Sequence, residues 1–537
     1  MKTFKTVVRL LRLVKPLIIE LMVAVITGVL GFVCVSLIAY FGATMFVNKK
    51  IDNTLILIII ALGVLKGIFK YLEQWFNHYI AFKVLAHIRD IIIKTLRRLA
   101  PAKLDNKDKG DLIANITSDV EILEAFYAHT ISPIMIAFIY STLVVIFISL
   151  CSLYIAGILL LSYFIIGIIF PVANYKLSEK LGSRIKEEEA VLKNITIENF
   201  DGLKDIKQFK IQNEKTIKMN YQSEKLESLR KKEKHHIGIM HGLIVVVELL
   251  TIFLIIMISI KTNIEYKIVI PIIALSLTSF KAVINVANVA GILVHSFASG
   301  KRILELVDEK PAIEDVVNEN DVQFKKIEIK KLEFKYQEKN ILKNLNLSIK
   351  DKDFIGICGE SGSGKSTLLR LLMRFYDPSF GEILIDDLNL KNINTSSLRI
   401  NQSLVTQETY LFKTTIKENI KIANLNATDE EIINACKKAS IHDTIMKFNK
   451  GYETIITNNI NISSGEAQRI GLARAFVSKS NLVLLDEPTA NLDALNEGII
   501  LESIKENDRT IIMVSHRRKS LSICNKIIEI KGEEIWK

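Results

Sequence analysis

Six stretches of the chain stay apolar for about the 20 residues that a membrane-spanning helix needs. They lie near residues 17–47, 53–78, 130–152, 154–175, 237–260 and 268–296. The third and fourth form one uncharged block from Thr130 to Tyr175, long enough for two spans joined by a minimal turn around Ser149 to Tyr154. After residue 296 the long charge-poor runs stop and mixed α/β patterning begins. The pattern predicts an all-α transmembrane domain of six helices over 1–305, a charged linker over 306–325 broken at Pro311, and an α/β domain over 326–537.

The connections between spans two and three and between spans four and five are long and rich in Lys and Arg, whereas the others are very short. The positive-inside rule therefore predicts a multi-pass protein of a cell's inner (plasma) membrane, with both termini and the α/β domain in the cytoplasm. The long connections read as helical extensions of the spans, with bends expected near Asp108 to Asp119 and Asn199 to Lys210. Those bends are where a cytosolic domain could push.

Composition agrees with a bilayer partner. Of the 537 residues, 49% are hydrophobic, high for a soluble enzyme of this length. The net charge of +12 gathers at membrane flanks, including Lys2, Lys5, Arg9, Arg12 and Lys15 before the first apolar run, so it orients the chain in lipid and does not imply nucleic acid. Five scattered cysteines without a CxxC pair indicate neither a disulfide framework nor a thiolate metal site. The first apolar run is too long for the core of a signal peptide and reads as a retained helix.

Chemistry enters in the second half. A strand-like stretch, Asp353 to Cys358, runs into Gly359, Glu360, Ser361, Gly362, Ser363, Gly364, Lys365, Ser366 and Thr367, then a helical run. This is the P-loop arrangement: glycines let backbone N–H groups close on phosphates, Lys365 reaches the β and γ phosphates, and Ser366 can hold Mg²⁺. A second apolar strand, Asn481 to Leu485, delivers Asp486 and Glu487, suited to assisting Mg²⁺ and polarising the attacking water. ATP and Mg²⁺ are the cofactors expected.

The stretch LLDEPTANLD, preceded by SSGEAQRIGLARA and followed by VSHR, resembles the ABC ATPase domain in motifs and in their order. The resemblance extends over the whole chain, whose first half is similar to exporter-type ABC half-transporters. It implies an α/β P-loop ATPase domain of ABC type, with ATP hydrolysis coupled to movement of a small or amphipathic solute. By the same resemblance Tyr336 stacks on adenine, Gln407 senses Mg²⁺ and the membrane domain, and His516 touches the γ-phosphate. Ser463 and Gly465 belong to the signature segment and Asp493 to the D-loop. Taken singly, Tyr336 is also compatible with a strand aromatic, Gln407 with a loop amide and His516 with a strand-end histidine. The segment GDLIANITSDVEILEAFYAHTISPI resembles the subgroup related to cytochrome bd assembly transporters, which move thiols or affect haem.

A signature segment at a helix N-terminus offers N–H groups to a γ-phosphate held by another subunit, so one copy cannot complete a site. Two departures bear on the partner. The usual LSGGQ stands here as Ile462, Ser463, Ser464, Gly465, Glu466, placing a Cβ where backbone must approach phosphate. The stretch GYETIITNNINI is one residue short, with Asn458 or Asn459 where an acid is usual. A second, different ABC half-transporter is the expected partner, giving a heterodimer. The alternative reading is a non-transporting regulatory or receptor-like ABC subunit that uses ATP binding as a conformational switch.

Polar residues within the spans point to a solute cavity. Lys66, Lys70, Glu73 and Asn77 share one face of the second span, Lys281, Asn285 and Asn288 one face of the sixth, and His241 and Glu248 one face of the fifth. Lys66 lies about 20 Å below the outer end by helical rise, where a lipid-facing lysine is costly. The lysines suggest anionic or zwitterionic solutes. Structural pairing of lysines with Glu73 or Glu248 is the equal alternative.

Overall fold

The computed structural model describes residues 2–49, 52–105, 109–336, 339–457, 462–490, 492 and 494–530. The chain divides into two compact units, Met1–Arg97 with Lys107–Glu309, and Arg98–Asn106 with Lys310–Lys537.

Among the described residues of the first unit, six helices are long and apolar enough to cross a membrane: Lys15–Asn48, Asn53–Leu99, Ile116–Ser149, Leu153–Asn174, Gln212–Lys261 and Tyr266–Ala287. Their core is built from inward-facing residues of spans one, three, four, five and six, among them Val25, Tyr140, Leu159, Ile255 and Phe280. Hydroxyl pairs cross between helices: Ser162 with Thr251 at 2.7 Å, Ser36 with Tyr140, and Tyr163 with Ser279. Such pairs hold helices together where lipid supplies no hydrophobic drive.

The second span behaves differently along its length. Its most apolar window is 0% buried in this chain, whereas Ile80, Val84, Ile88 and Ile92 further along are buried at helical spacing. The 47-residue helix is about 70 Å long by its rise, so it outruns a hydrocarbon core of about 30 Å. The fourth and fifth helices likewise continue as a pair, tied by Lys225 to Glu188 at 2.7 Å and Arg230 to Glu189 at 2.6 Å. Asp119 accepts from Arg302 Nε at 2.7 Å and from Ser299 Oγ at 2.9 Å. Arg9, on the N-terminal helix Lys2–Arg12, grips Asp308.

Of the five-residue π-turns among the described residues, Asn115–Asp119, Tyr127–Ile131 and Ile165–Ile169, the last two are each followed by a proline. Pro133 and Pro171 lack the N–H that would bond to the carbonyls of His129 and Gly167, which opens the helix there.

The first bend falls at residues 100–105, not at Asp108 to Asp119. Pro101 ends the helix, and the described part of 109–119 is helical. The second bend is where expected, with a break at Gly202, a short helix Leu203–Gln208, and a turn before Gln212.

Among its described residues the second unit contains two sheets. Strands β1 (Lys326–Tyr336), β2 (Lys339–Lys350), β4 (Phe380–Ile385) and β5 (Leu388–Asn389) form an antiparallel sheet in the order β2-β1-β4-β5. Strands β3 (Phe354–Cys358), β6 (Gln402–Val405), β7 (Leu482–Asp486), β8 (Thr510–Val514) and β9 (Lys526–Glu529) form a parallel sheet in the order β6-β7-β8-β3-β9. The interiors of β3, β7 and β8 are buried apolar runs, as parallel strands covered on both faces require. The crevice beyond the carboxyl ends of parallel strands is where ligands bind in such sheets. The P-loop leaves the end of β3 and the acids leave the end of β7, with β8 between them.

The turn after the second span belongs to this unit. Asp105 accepts from Tyr376 Oη at 3.1 Å and from Arg370 Nη1 at 3.3 Å.

Candidate functional site

After β3 the chain turns through Gly359 (φ +152°) and Gly364 (φ +97°) into the helix Lys365–Leu372. At Gly359 a Cβ would lie 2.3 Å from the Ile530 carbonyl oxygen, and at Gly364 it would lie 2.7 Å from Leu342 Cδ2, so only glycine fits both places. Between them Gly362 and Ser361 are exposed, and the Ser363 hydroxyl is buried without a hydrogen-bond partner. An orphan hydroxyl under a glycine loop is what an oxyanion ligand would satisfy.

Lys365 folds back over this loop. Its Nζ donates to the carbonyls of Glu360 at 2.7 Å and Gly359 at 3.0 Å, and burial pulls its pKa down despite the charges of Glu487 and Asp486. Thr367 is buried beneath the helix start.

Ser366 Oγ donates to Asp486 at 3.1 Å, and burial pushes the Asp486 carboxyl above its ordinary range. Glu487, next along, sits at φ +51°, a conformation that a non-glycine residue adopts at a cost of about 1–3 kcal/mol. Its backbone is held from three directions. Its N–H donates to Val514 at 3.0 Å, and its carbonyl accepts from Gln468 Nε2 at 2.6 Å and from Ala490 N at 3.2 Å. Its carboxylate meets His516 Nε2 at 2.7 Å and Gln407 Nε2 at 3.4 Å. Ser366 Oγ and the Asp486 carboxylate present hard oxygen donors suited to Mg²⁺, and the Gln407 amide carries a further oxygen.

Ser366, Asp486, Glu487, Gln407 and His516, which the sequence scatters over 150 residues, are thus linked by contacts, with Lys365 beside Ser366 at the start of the same helix. Tyr336, at the end of β1, makes edge contacts with Phe334 at 4.8 Å and Tyr376 at 5.3 Å. Tyr376 also holds Asp105, so the aromatic expected at adenine and the 98–105 turn of the same unit share a neighbour.

Gln468 and Glu466 are roles the sequence reading missed. Ser463 caps the helix Ser464–Val477, and Glu466 closes the box: its carboxylate accepts from Ser463 N and from Ser463 Oγ, both at 2.8 Å. The spacing S-x-x-E is the visible signal. Gly465 lies in the first turn. Asp493, Asn458, Asn459 and the side chain of Asn288 lie outside the described residues.

The membrane candidates separate into two groups. Lys70, Glu73 and Asn285 line one cavity of about 220 Å³, together with Gln74, Asn77 and His129. Lys66, His241 and Lys281 are exposed on the surface of this chain and Glu248 is half-buried; none of them lines that cavity. The lysine that meets an acid is Lys70, whose Nζ is 2.9 Å from Glu73 Oε2.

Residues 342–490 match the family described as ABC transporter, and residues 17–286 match the family described as ABC transporter transmembrane region. A probable ABC transporter ATP-binding/permease protein of Haemophilus influenzae is 39% identical, covering 97% of each chain. A putative multidrug export ATP-binding/permease protein of Staphylococcus aureus is 28% identical, covering 98% of this chain and 95% of its own. Among solved structures, a bacterial Atm1-family ABC exporter with ATP bound superposes with a TM-score of 0.83 at 20% identity, over 97% of this chain and 95% of that one, which establishes the fold.

Proposed function

This chain belongs to the ABC transporter family, with membrane and ATP-binding parts in one polypeptide, and on that premise we propose that it is one half of an exporter that hydrolyses ATP to move a small or amphipathic solute out through the inner (plasma) membrane. The observation that carries this reading is the contact chain from Ser366 through Asp486 and Glu487 to Gln407 and His516 at the mouth of the P-loop.

In the proposed cycle, the P-loop N–H groups and Lys365 neutralise the phosphates, with Tyr336 against adenine. Ser366, Asp486 and Gln407 would hold Mg²⁺, which supplies positive charge beside the transferring phosphoryl group. Glu487 takes a proton from the attacking water, its carboxylate aimed by the strained backbone and by His516. Phosphate release by the purified protein in nanodiscs, together with solute uptake into inside-out vesicles, tests the reading. ATP turnover in such vesicles without flux of any solute would favour the regulatory alternative. The basic connections support a cytoplasmic side for the termini and the ATP-binding domain.

We further place this chain in a dimer with a different half-transporter. The helix N-terminus at Ser463, the end that would meet the partner's γ-phosphate, is already occupied by the Glu466 carboxylate, and its Ser463 N–H and hydroxyl are used. An anion at that end competes with phosphate. When the chain is expressed alone, changing Ser464→Gly and Glu466→Gln together is expected to raise ATP turnover roughly fivefold, from about 1 kcal/mol of relieved repulsion. Full turnover by the unmodified chain alone, at two equivalent sites, would remove the case for a different partner.

A further inference from the structure

The cavity in the membrane unit is richer in acceptors than its lysine suggested. Glu73 is 4% exposed and Asn77, one turn further along the second span, is 1% exposed. Asn77 Oδ1 has no hydrogen-bond partner. A buried carbonyl left unpaired costs about 1–3 kcal/mol, so its retention beside a cavity points to a donor that arrives from outside. Among the described residues the partner of Glu73 is Lys70, whose Nζ reaches its two oxygens at 3.0 and 2.9 Å while the Lys70 side chain remains about half exposed. Across the cavity, the π-turn at Tyr127–Ile131 presents His129 to the same space, and Phe32, Ile136, Val289 and Ile292 give it apolar walls.

We propose that this cavity binds a small organic ammonium ion, with Glu73 and Asn77 Oδ1 accepting its N–H bonds and its apolar part against the walls, and that Lys70 is the internal ammonium it displaces. The proposal rests on the transporter reading and names the class of solute. The expectation of an anionic solute is replaced, because it drew on Lys66 and Lys281, which lie outside the cavity, and on Lys70, whose charge Glu73 neutralises. A volume of about 220 Å³ falls below the roughly 300 Å³ at which drug-sized pockets begin, so the solute is small. By helical rise, Glu73 lies about 30 Å from the outer end of its span, at the cytosolic margin of the bilayer, where an outward-moving solute would load.

The sign of one substitution separates this reading from a merely structural ion pair. The full-length chain in nanodiscs is assayed for binding of radiolabelled benzylamine, with benzyl alcohol and phenylacetate as its neutral and anionic counterparts. Benzylamine is expected to bind at least tenfold tighter than either. Glu73→Gln and Asn77→Leu should each weaken it tenfold or more, and Lys70→Met should leave it unchanged or tighten it. Asn77→Leu removes an unpaired acceptor, so its melting temperature should match or exceed that of the unmodified chain, and it carries the test alone if Glu73→Gln fails to fold. Equal binding of the three probes, no binding of benzylamine, undiminished binding by Asn77→Leu, or a Lys70→Met loss that parallels Glu73→Gln would overturn the proposal. ATP turnover of the same unmodified preparation is read in parallel; if it persists while benzylamine binding is absent, the cavity assignment falls and the transporter reading stands.

Discussion

Glu487→Gln is expected to leave a protein that binds ATP with unchanged affinity and turns it over roughly 10²–10⁴ times more slowly, the range over which a positioned general base contributes. The substitution keeps the shape of the side chain, so an oxygen can still accept from His516, now 2.7 Å from the carboxylate. It leaves untouched the backbone bonds to Val514, Ala490 and Gln468 that hold position 487. What is lost is the basic oxygen. The dimer closed over uncleaved ATP should therefore accumulate, visible as nucleotide retained through gel filtration. Turnover near that of the unmodified chain would remove Glu487 from the role of base.

Lys365→Met should produce the opposite division, with binding and turnover lost together. The Lys365 ammonium sits among the P-loop carbonyls, bonded to Gly359 and Glu360. Met keeps the length and the apolar stem but cannot neutralise phosphate charge, and loss of one such stabilising group costs roughly 10²–10³ in rate. Fluorescent nucleotide binding alongside phosphate release distinguishes the two variants. The idea fails if Lys365→Met binds ATP normally and loses only turnover.

The nucleotide site was legible because its chemistry is written in contiguous stretches. A loop that must wrap a phosphate is a run of glycines before a lysine, and a buried parallel strand announces the acids at its end. Capping is equally local, and Ser463 with Glu466 shows it: the S-x-x-E spacing marks the carboxylate that fills the helix terminus, beside the more conspicuous Ser464. The membrane cavity was only partly legible. Helical periodicity groups Lys70, Glu73 and Asn77, which line one cavity, with Lys66, which does not, because spacing along one helix does not say where its neighbours end. His129 was invisible to that arithmetic: Pro133 opens a π-turn around it and breaks the 3.6-residue count. The first cytosolic bend was misplaced for a similar reason. Charge and polarity drew attention to Asp108 to Asp119, while Pro101 had already stopped the helix.

The left-handed backbone at Glu487 has a consequence for which sequences can occupy that position at all. A library randomised there is filtered twice, once for the acid and once for tolerance of φ +51°. Gly and Asn satisfy the second filter with little strain, so such clones should express a folded, nucleotide-competent chain that does no work. Val, Ile and Thr fail both filters, since their branched Cβ crowds the backbone in that region, and should be depleted already at the level of folded protein in the membrane. Selection for expression and selection for turnover would then draw two different alphabets from one codon.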